Sequence, residues 1–392
     1  MLWQAGIIFL PASHASVLRD NLLSQRQKMD EITQWMVLSQ AQGIGVAGFW
    51  ALVEHFGSPE AVLQAAPQEI RSVRGMGDRQ LQGLACREEI RCHCLKQQDR
   101  FADFGVECLL YTAPAYPEWL SQISDPPPLL YVRGDTSLLE CSSIAVVGSR
   151  AATSYGSRTA YHLGRGLASA GVTVTSGLAL GIDAHAHSGA LAAEGNTIAV
   201  LGCGVDVVYP RGNRKLFEEV LQRGLIVSEY PLGTAPEGFR FPARNRIIAG
   251  ISQGVVVVEA ARRSGSLITA QLAVDEGREV YGVPGQVDSY KSEGTHWLLQ
   301  QGAKLVQSAD DILEDLGLEA VSARPATRNG TVDGLDTDAR TLLDCIESYP
   351  LSRDELLLKS GMEIFTFSEN LLLLELDGLV ELLPGGEVRR LG

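Results

Sequence analysis

Hydrophobic and polar positions follow three textures along this chain. From about residue 30 to 94 the apolar positions recur at helical spacing, broken by short glycine punctuations, which predicts a small helical domain over 29–105. From Leu129 onward the pattern becomes short β-branched runs: Ile144–Val147, Val172–Thr175, Thr197–Leu201, Leu225–Val227, Val255–Val258 and Val280–Val283. The stretches between them, such as Thr159–Ala170, Ala184–Ala193 and Asn213–Arg223, are long enough for crossover helices. That alternation predicts an α/β fold over 106–318, a parallel sheet with helices on both faces. A polar linker is expected over 319–335 and a last domain over 336–392. There a helix over Thr337–Ser348, a capping sequence at Ser352-Arg353-Asp354-Glu355, a third helix to Asp377 and paired runs at Leu379–Leu383 and Glu387–Leu391 follow in winged-helix order.

Two glycine turns, Gly43-Ile44-Gly45 and Gly75-Met76-Gly77, lie between apolar-periodic stretches, as helix–hairpin–helix units require. Either the amides of the following helices approach a phosphate, or these are tight turns in a bundle without a ligand. Residues 1–28 read as a disordered or artefactual extension. Their apolar patch Gly6–Leu10 has no basic residue before it and is stopped by Pro11, unlike a secretory signal. No run reaches the ~18 apolar residues of a membrane span, so no membrane partner is expected. Seven cysteines without a Cys-x-x-Cys pair fit reduced thiols in a cytoplasm rather than a disulfide framework or a zinc site.

Charge narrows the function. Against 33 Lys and Arg stand 47 Asp and Glu, a net of −14, which excludes nucleic-acid binding by a bulk positive field and leaves only a local site. The last domain is more acidic still. From Asp336 on it has five basic and twelve acidic side chains, so phosphate is repelled there and a protein contact is expected; only Arg389 and Arg390 offer a reversal.

Five strand-end loops carry the candidate chemistry. Gly148-Ser149-Arg150 precedes a helix start, where Gly148 permits close backbone approach, Ser149 and the helix amides can donate to a phosphate, and Arg150 can clamp it. Ser176-Gly177 opens the second loop, Gly202-Cys203-Gly204 through Arg211 to Lys215 forms the third, and Ser264–Thr269 the fifth. The fourth, Phe239–Arg246, holds Phe241, Arg244, Asn245 and Arg246 and contains no acid. Interleaved rings and cations suit an unpaired strand, with bases on the rings and backbone along the cations. No cofactor fingerprint is present: Gly-x-Gly-x-x-Gly and the phosphate-binding Gly-x-x-x-x-Gly-Lys-Ser/Thr are both missing. Asp183, His185 and His187 are too few for a metal site, and Asp183 is expected as a helix-start residue with His187 packed or hydrogen-bonded. No nucleophile–base pair stands out, and Glu229 and Glu259 are expected to orient loops, so no catalytic residue is assigned.

These loops resemble the DNA-processing protein A (DprA, or Smf) family. The resemblance rests on Val147–Arg150, Ser176–Asp183, Ala186–Leu191, Leu201–Gly204 with Tyr209-Pro210 and Asn213, Phe241–Gly250, Glu259-Ala260, Ser264–Ala270 and Val283–Gly285. It implies an extended Rossmann-like core that binds single-stranded DNA without catalysis, forms a homodimer, and loads the RecA recombinase during natural transformation. By position, Gly148, Ser149 and Arg150 would hold phosphates, and Phe241, Arg244 and Arg246 would line the strand with Asn245 shaping the loop. Either Arg211 or Lys215 would supply the lateral cation. Two departures stand out: His296 where the family usually has Asn, and residues before Met29 without a counterpart.

A different class uses the same kind of sheet, the phosphoribohydrolases that act on nucleoside monophosphates. Their Pro-Gly-Gly-x-Gly-Thr-x-x-Glu loop corresponds here to Ser264–Leu272, which lacks the acid. A pure protein-interaction scaffold would leave the basic and glycine-rich loops idle.

Overall fold

The computed structural model describes residues 27–318, 336–346, 351–376, 379–382 and 386–390. It divides into two compact units, 1–323 and 324–392. Almost all of the extension expected over 1–28 and the whole linker over 319–335 lie outside the described residues. Residues 27 and 28 are the exception and correct the boundary, because they already belong to the first helix.

In the first unit, helix α1 (27–40) is followed by α2 (Val46–Phe56), α3 (Pro59–Gln64), α4 (Pro67–Ser72), α5 (Asp78–Ala85), α6 (Arg87–Asp99) and α7 (Phe101–Phe104). The two glycine turns join α1 to α2 and α4 to α5, and Gly43 and Gly75 take φ of +82° and +86°, open to glycine at little cost. One side chain ties the hairpins together. Gln80 accepts the Gly77 amide at 3.0 Å and donates to the Gly43 carbonyl at 3.2 Å. The start of α5 is therefore already hydrogen-bonded within the protein. Trp35, Met36, Phe49 and Leu52 form the core of this domain, continuous with Tyr131 and Leu201 of the sheet beyond. Trp50 also donates its indole N–H to the Pro126 carbonyl at 2.8 Å.

The sheet has nine strands: β1 (Glu107–Leu110), β2 (Leu129–Gly134), β3 (Ser143–Val147), β4 (Thr173–Ser176), β5 (Thr197–Val200), β6 (Leu225–Ser228), β7 (Gly254–Val257), β8 (Glu279–Gly282) and β9 (Lys304–Leu305). Their order is β1-β2-β6-β5-β4-β3-β7-β8-β9. Pairing is parallel from β6 through β9, while β1 and β2 add an antiparallel edge. The short α8 (Glu118–Ser121) lies between β1 and β2. Crossovers α9 (Ser154–Ser169), α10 (Ile182–Ala192), α11 (Arg214–Arg223), α12 (Arg240–Ile251), α13 (Gly265–Asp275) and α14 (Glu293–Gln300), with α15 (Ala309–Leu316) after the last strand, cover the faces. Helices on both sides explain why the central strands are written as unbroken β-branched runs. Two buried clusters flank the sheet, one holding Val147, Val257 and Ile248, the other Val146, Val256 and Leu163. Strand β3 has β4 on one side and β7 on the other, so the loops leaving β3 and β7 part and open a crevice.

In the second unit, α16 (Thr337–Cys345), β10 (Leu351–Ser352), α17 (Arg353–Ser360), α18 (Ile364–Leu376), β11 (Val380–Leu382) and β12 (Glu387–Arg390) make a winged helix, with sheet order β10-β12-β11. Ser352 caps α17 by accepting the Glu355 amide at 3.2 Å, and Gly361 ends it at φ +63°. Leu342, Leu356, Leu371, Leu374 and Val388 are its core.

Candidate nucleic-acid interface

The loop after β3 is held by a carboxylate. Glu259, buried at the end of β7, accepts the Thr153 amide at 2.9 Å and the Thr153 hydroxyl, while its own carbonyl takes the Ser149 amide at 2.8 Å. Thr153 in turn caps α9 by accepting the Gly156 amide at 3.0 Å. Glycine is required at two of these positions. A Cβ on Gly156 would stand 2.4 Å from the Glu259 carboxyl carbon, and one on Gly148 would stand 2.6 Å from Ile182. Of the groups expected to receive a phosphate, the Ser149 and Gly156 amides are thus already bonded within the protein, Ser149 through its backbone and not its hydroxyl. The positive end of the helix already faces an anion, Glu259. The loop still offers the backbone at Gly148 and the exposed Arg150, both of which line the crevice.

Beneath it lies a correction. Ser176 and Gly177 are buried: the Ser176 hydroxyl donates to the Val146 carbonyl at 2.6 Å, and Gly177 packs against Arg244. Arg244, from α12, is only 4% exposed and donates to the carbonyls of Gly177, at 2.8 Å, and Val200. Carbonyls at buried strand ends need donors, and Arg244 supplies them for β4 and β5. Asp183, at the start of α10, accepts the Gly177 and Ala179 amides at 3.2 and 3.4 Å. Burial pushes its carboxyl above the usual range, opposed chiefly by the Arg244 charge. His187 is fully buried, and its Nδ1–H donates to the Thr197 hydroxyl at 2.7 Å, because that hydroxyl gives its own proton to the Val174 carbonyl. Burial first, then Arg244, pulls its pKa down to about 3, so the ring is neutral. Asp183 thus belongs to the crevice wall, while His187 packs beside the start of β5.

Arg246, expected to line the strand, has its charge already engaged. It is ion-paired with Glu229 at 2.5 Å, and both side chains are largely buried. Asn245 joins helices, accepting from Arg244 Nε and donating to the Gly265 carbonyl, each at 3.3 Å. Arg211 and Lys215 are exposed, and no ion pair among the described residues engages either one.

What faces outward is a ring platform. Phe241 and Tyr209 stack with centroids 5.5 Å apart and planes 27° from parallel. The Arg150 guanidinium lies 5.2 Å from the Phe241 centroid, and Arg244 approaches the same ring at 5.9 Å. Gly202 makes room, since a Cβ there would be 2.9 Å from the Phe241 ring. The platform borders a crevice of about 510 Å³ lined also by Gly148, Asn245 and Thr269, at the switch point between β3 and β7. A smaller hollow of about 70 Å³ shares Arg150, Tyr209, Phe241 and Arg244 and is also lined by Gly177, so that expected site residue does reach it. Rings with a cation against them, beside an open groove, can stack bases and attract backbone phosphate.

Comparison with known proteins bears on this geometry. The family model described as DNA recombination-mediator protein A matches residues 107–317, the DprA winged helix domain matches 322–386 and the DprA-like N-terminal HHH domain matches 29–89. The chain belongs to the DprA family. Protein Smf of Synechocystis sp. is 34% identical over 394 residues, covering 92% of this chain and 99% of that protein. The X-ray structure of DprA from Streptococcus pneumoniae aligns with TM-score 0.63 at 37% identity, over 71% of this chain and 95% of that one. DNA processing protein A from Helicobacter pylori, whose structure concerns its single-stranded DNA binding mode, aligns with TM-score 0.50 at 33% identity, over 54% and 96%.

Within this DprA-family chain, sequence reasoning missed Tyr209 as a site residue. The signal was an aromatic between two glycine-rich turns, but its pairing with Phe241 spans 32 positions. The same reasoning named the loops that hold Phe239, 69% exposed with Arg240 over its ring at 5.2 Å, and Ser266 and Thr269 of α13, which line the crevice, without singling those residues out. His296, the departure from the family pattern, donates to the Gly285 carbonyl at 3.1 Å and fixes that loop.

Proposed function

We propose that this chain binds single-stranded DNA in the crevice beside Phe241 and Tyr209, as a homodimer that delivers the strand to the RecA recombinase in natural transformation. The observation that carries the binding is the stacked Tyr209–Phe241 pair with Arg150 against it, a local cationic aromatic surface on a molecule of net charge −14. The Helicobacter pylori relative supports the ligand, and the family's description as a recombination mediator supports the delivery. The role is binding without catalysis. Glu259 and Asp183 both lie close to the crevice, and both are engaged with backbone amides of the protein.

Fluorescence anisotropy with labelled single and double strands at several salt concentrations tests the binding. Preference for the single strand, with affinity falling as salt rises, is the expected result. Equal affinity for duplex, or none for either, removes the reading. Release of free base from a nucleoside monophosphate would point instead to a phosphoribohydrolase. RecA filament growth on strands precoated with single-strand-binding protein should accelerate when this chain is added, and sedimentation should give a dimer.

A further inference from the structure

In a winged helix the third helix is the element that ordinarily enters a DNA groove. Here that element, α18, presents the wrong chemistry for DNA. Its exposed positions are 364, 365, 368, 369, 372 and 373, a spacing that lays them along one stripe. Four are large and apolar: Ile364, Phe365, Leu372 and Leu373, exposed at 71%, 79%, 56% and 46%. The other two are Ser368 and Glu369, and Glu363 is exposed just before the helix. The opposite face, with Phe367, Leu371 and Leu374, is already buried in the domain core. The outer stripe is thus a second apolar face that the fold does not use.

The wing offers phosphate little. Arg389 is ion-paired with Glu381 across the hairpin, and Arg390 donates to the Leu343 carbonyl at 3.2 Å, so both cations hold the domain together. With five basic against twelve acidic residues from Asp336 on, the surroundings repel a nucleic acid. They also repel a second copy of the same stripe, which would bring Glu369 and an equally acidic domain against themselves. Large apolar side chains exposed along one helix face mark a protein contact, and the acidic groups among and beside them, Glu369 and Glu363, select a cationic one. The stripe runs about 14 Å, roughly two and a half turns, which suits one packed helix.

We propose that α18 of the winged-helix domain is a docking face for a cationic amphipathic helix of a partner protein. The partner's apolar residues cover Phe365 and Leu372 while its Lys or Arg side chains meet Glu363 and Glu369.

The test uses the full chain and a labelled synthetic Leu/Lys amphipathic helix about four turns long. Controls are a scrambled peptide of the same composition and a Leu/Glu helix. Wild type should bind the Leu/Lys helix and neither control. Phe365→Ser with Leu372→Ser should weaken binding about tenfold or more without moving the melting temperature, since both side chains are already in water. Glu369→Lys should weaken the Leu/Lys helix and favour the Leu/Glu one. Equal binding by the double variant, or by the scrambled peptide, overturns the proposal. So does loss of self-association or of duplex binding in the double variant, which would make the occupant a second copy or DNA.

Discussion

Arg150, in the loop after β3, and Arg244, in α12, look alike in the sequence and do different work. Arg150 is exposed and lies against Phe241, so its loss should remove affinity and leave the fold intact. Arg150→Ala should reduce the slope of log affinity against log salt by about 0.7 for each phosphate that its charge neutralises, with an unchanged melting temperature, read by anisotropy and thermal melting. Phe241→Ala should cost roughly 1–3 kcal/mol of single-strand binding, because bases lose the ring they stack on. Arg244 is the reverse case. Its removal leaves the Gly177 and Val200 carbonyls without their donor and Asp183 buried without its nearby cation, so Arg244→Ala should lower folding stability by about 3 kcal/mol in urea denaturation. A variant as stable as wild type would mean the buried guanidinium is dispensable.

At the scale of elements, the helix starts around the crevice are already satisfied by the protein. Glu259 supports the start of α9, and Asp183 binds the amides before α10. Rigid loops at a switch point hold the ring platform in place before a ligand arrives, which lowers the ordering cost of binding. Gly156→Ala tests this arrangement, because its Cβ would stand 2.4 Å from the Glu259 carboxyl carbon. Displacing Glu259 should lower the melting temperature and also weaken single-strand binding, although residue 156 lies inside α9. Unchanged binding with a lowered melting temperature would show that the β3 loop holds its shape without Glu259.

For the whole molecule, His187 links folding stability to pH. Its pKa in the folded chain is about 3 against an ordinary 6.5. As pH falls below 6.5 the unfolded chain takes up this proton and the folded one does not, so stability drops by roughly a few kcal/mol toward the lower value. Asp183 has the opposite sign: its raised pKa lets the folded state take a proton first, which offsets part of the loss at acid pH. His187→Gln should flatten the decline, measured as urea-unfolding free energy against pH. Above 6.5 the two proteins should show parallel, nearly level profiles.

The sequence by itself determined the α/β core, the winged helix and the glycine loops, because these are written locally. Strands buried on both faces read as β-branched runs, a capped helix starts at a Ser such as Ser352, and a turn at positive φ takes glycine. The antiparallel edge was less legible. Strand β2 sits among prolines, and its partner β6 lies about a hundred residues on. Only the tertiary structure decided which of the candidate DNA contacts is available. Arg246 meets Glu229 across 17 positions and Arg244 meets Gly177 across 67, while Arg150 meets a ring. A charge is free or engaged according to what folding brings within a few ångströms of it, and no local pattern encodes that distance.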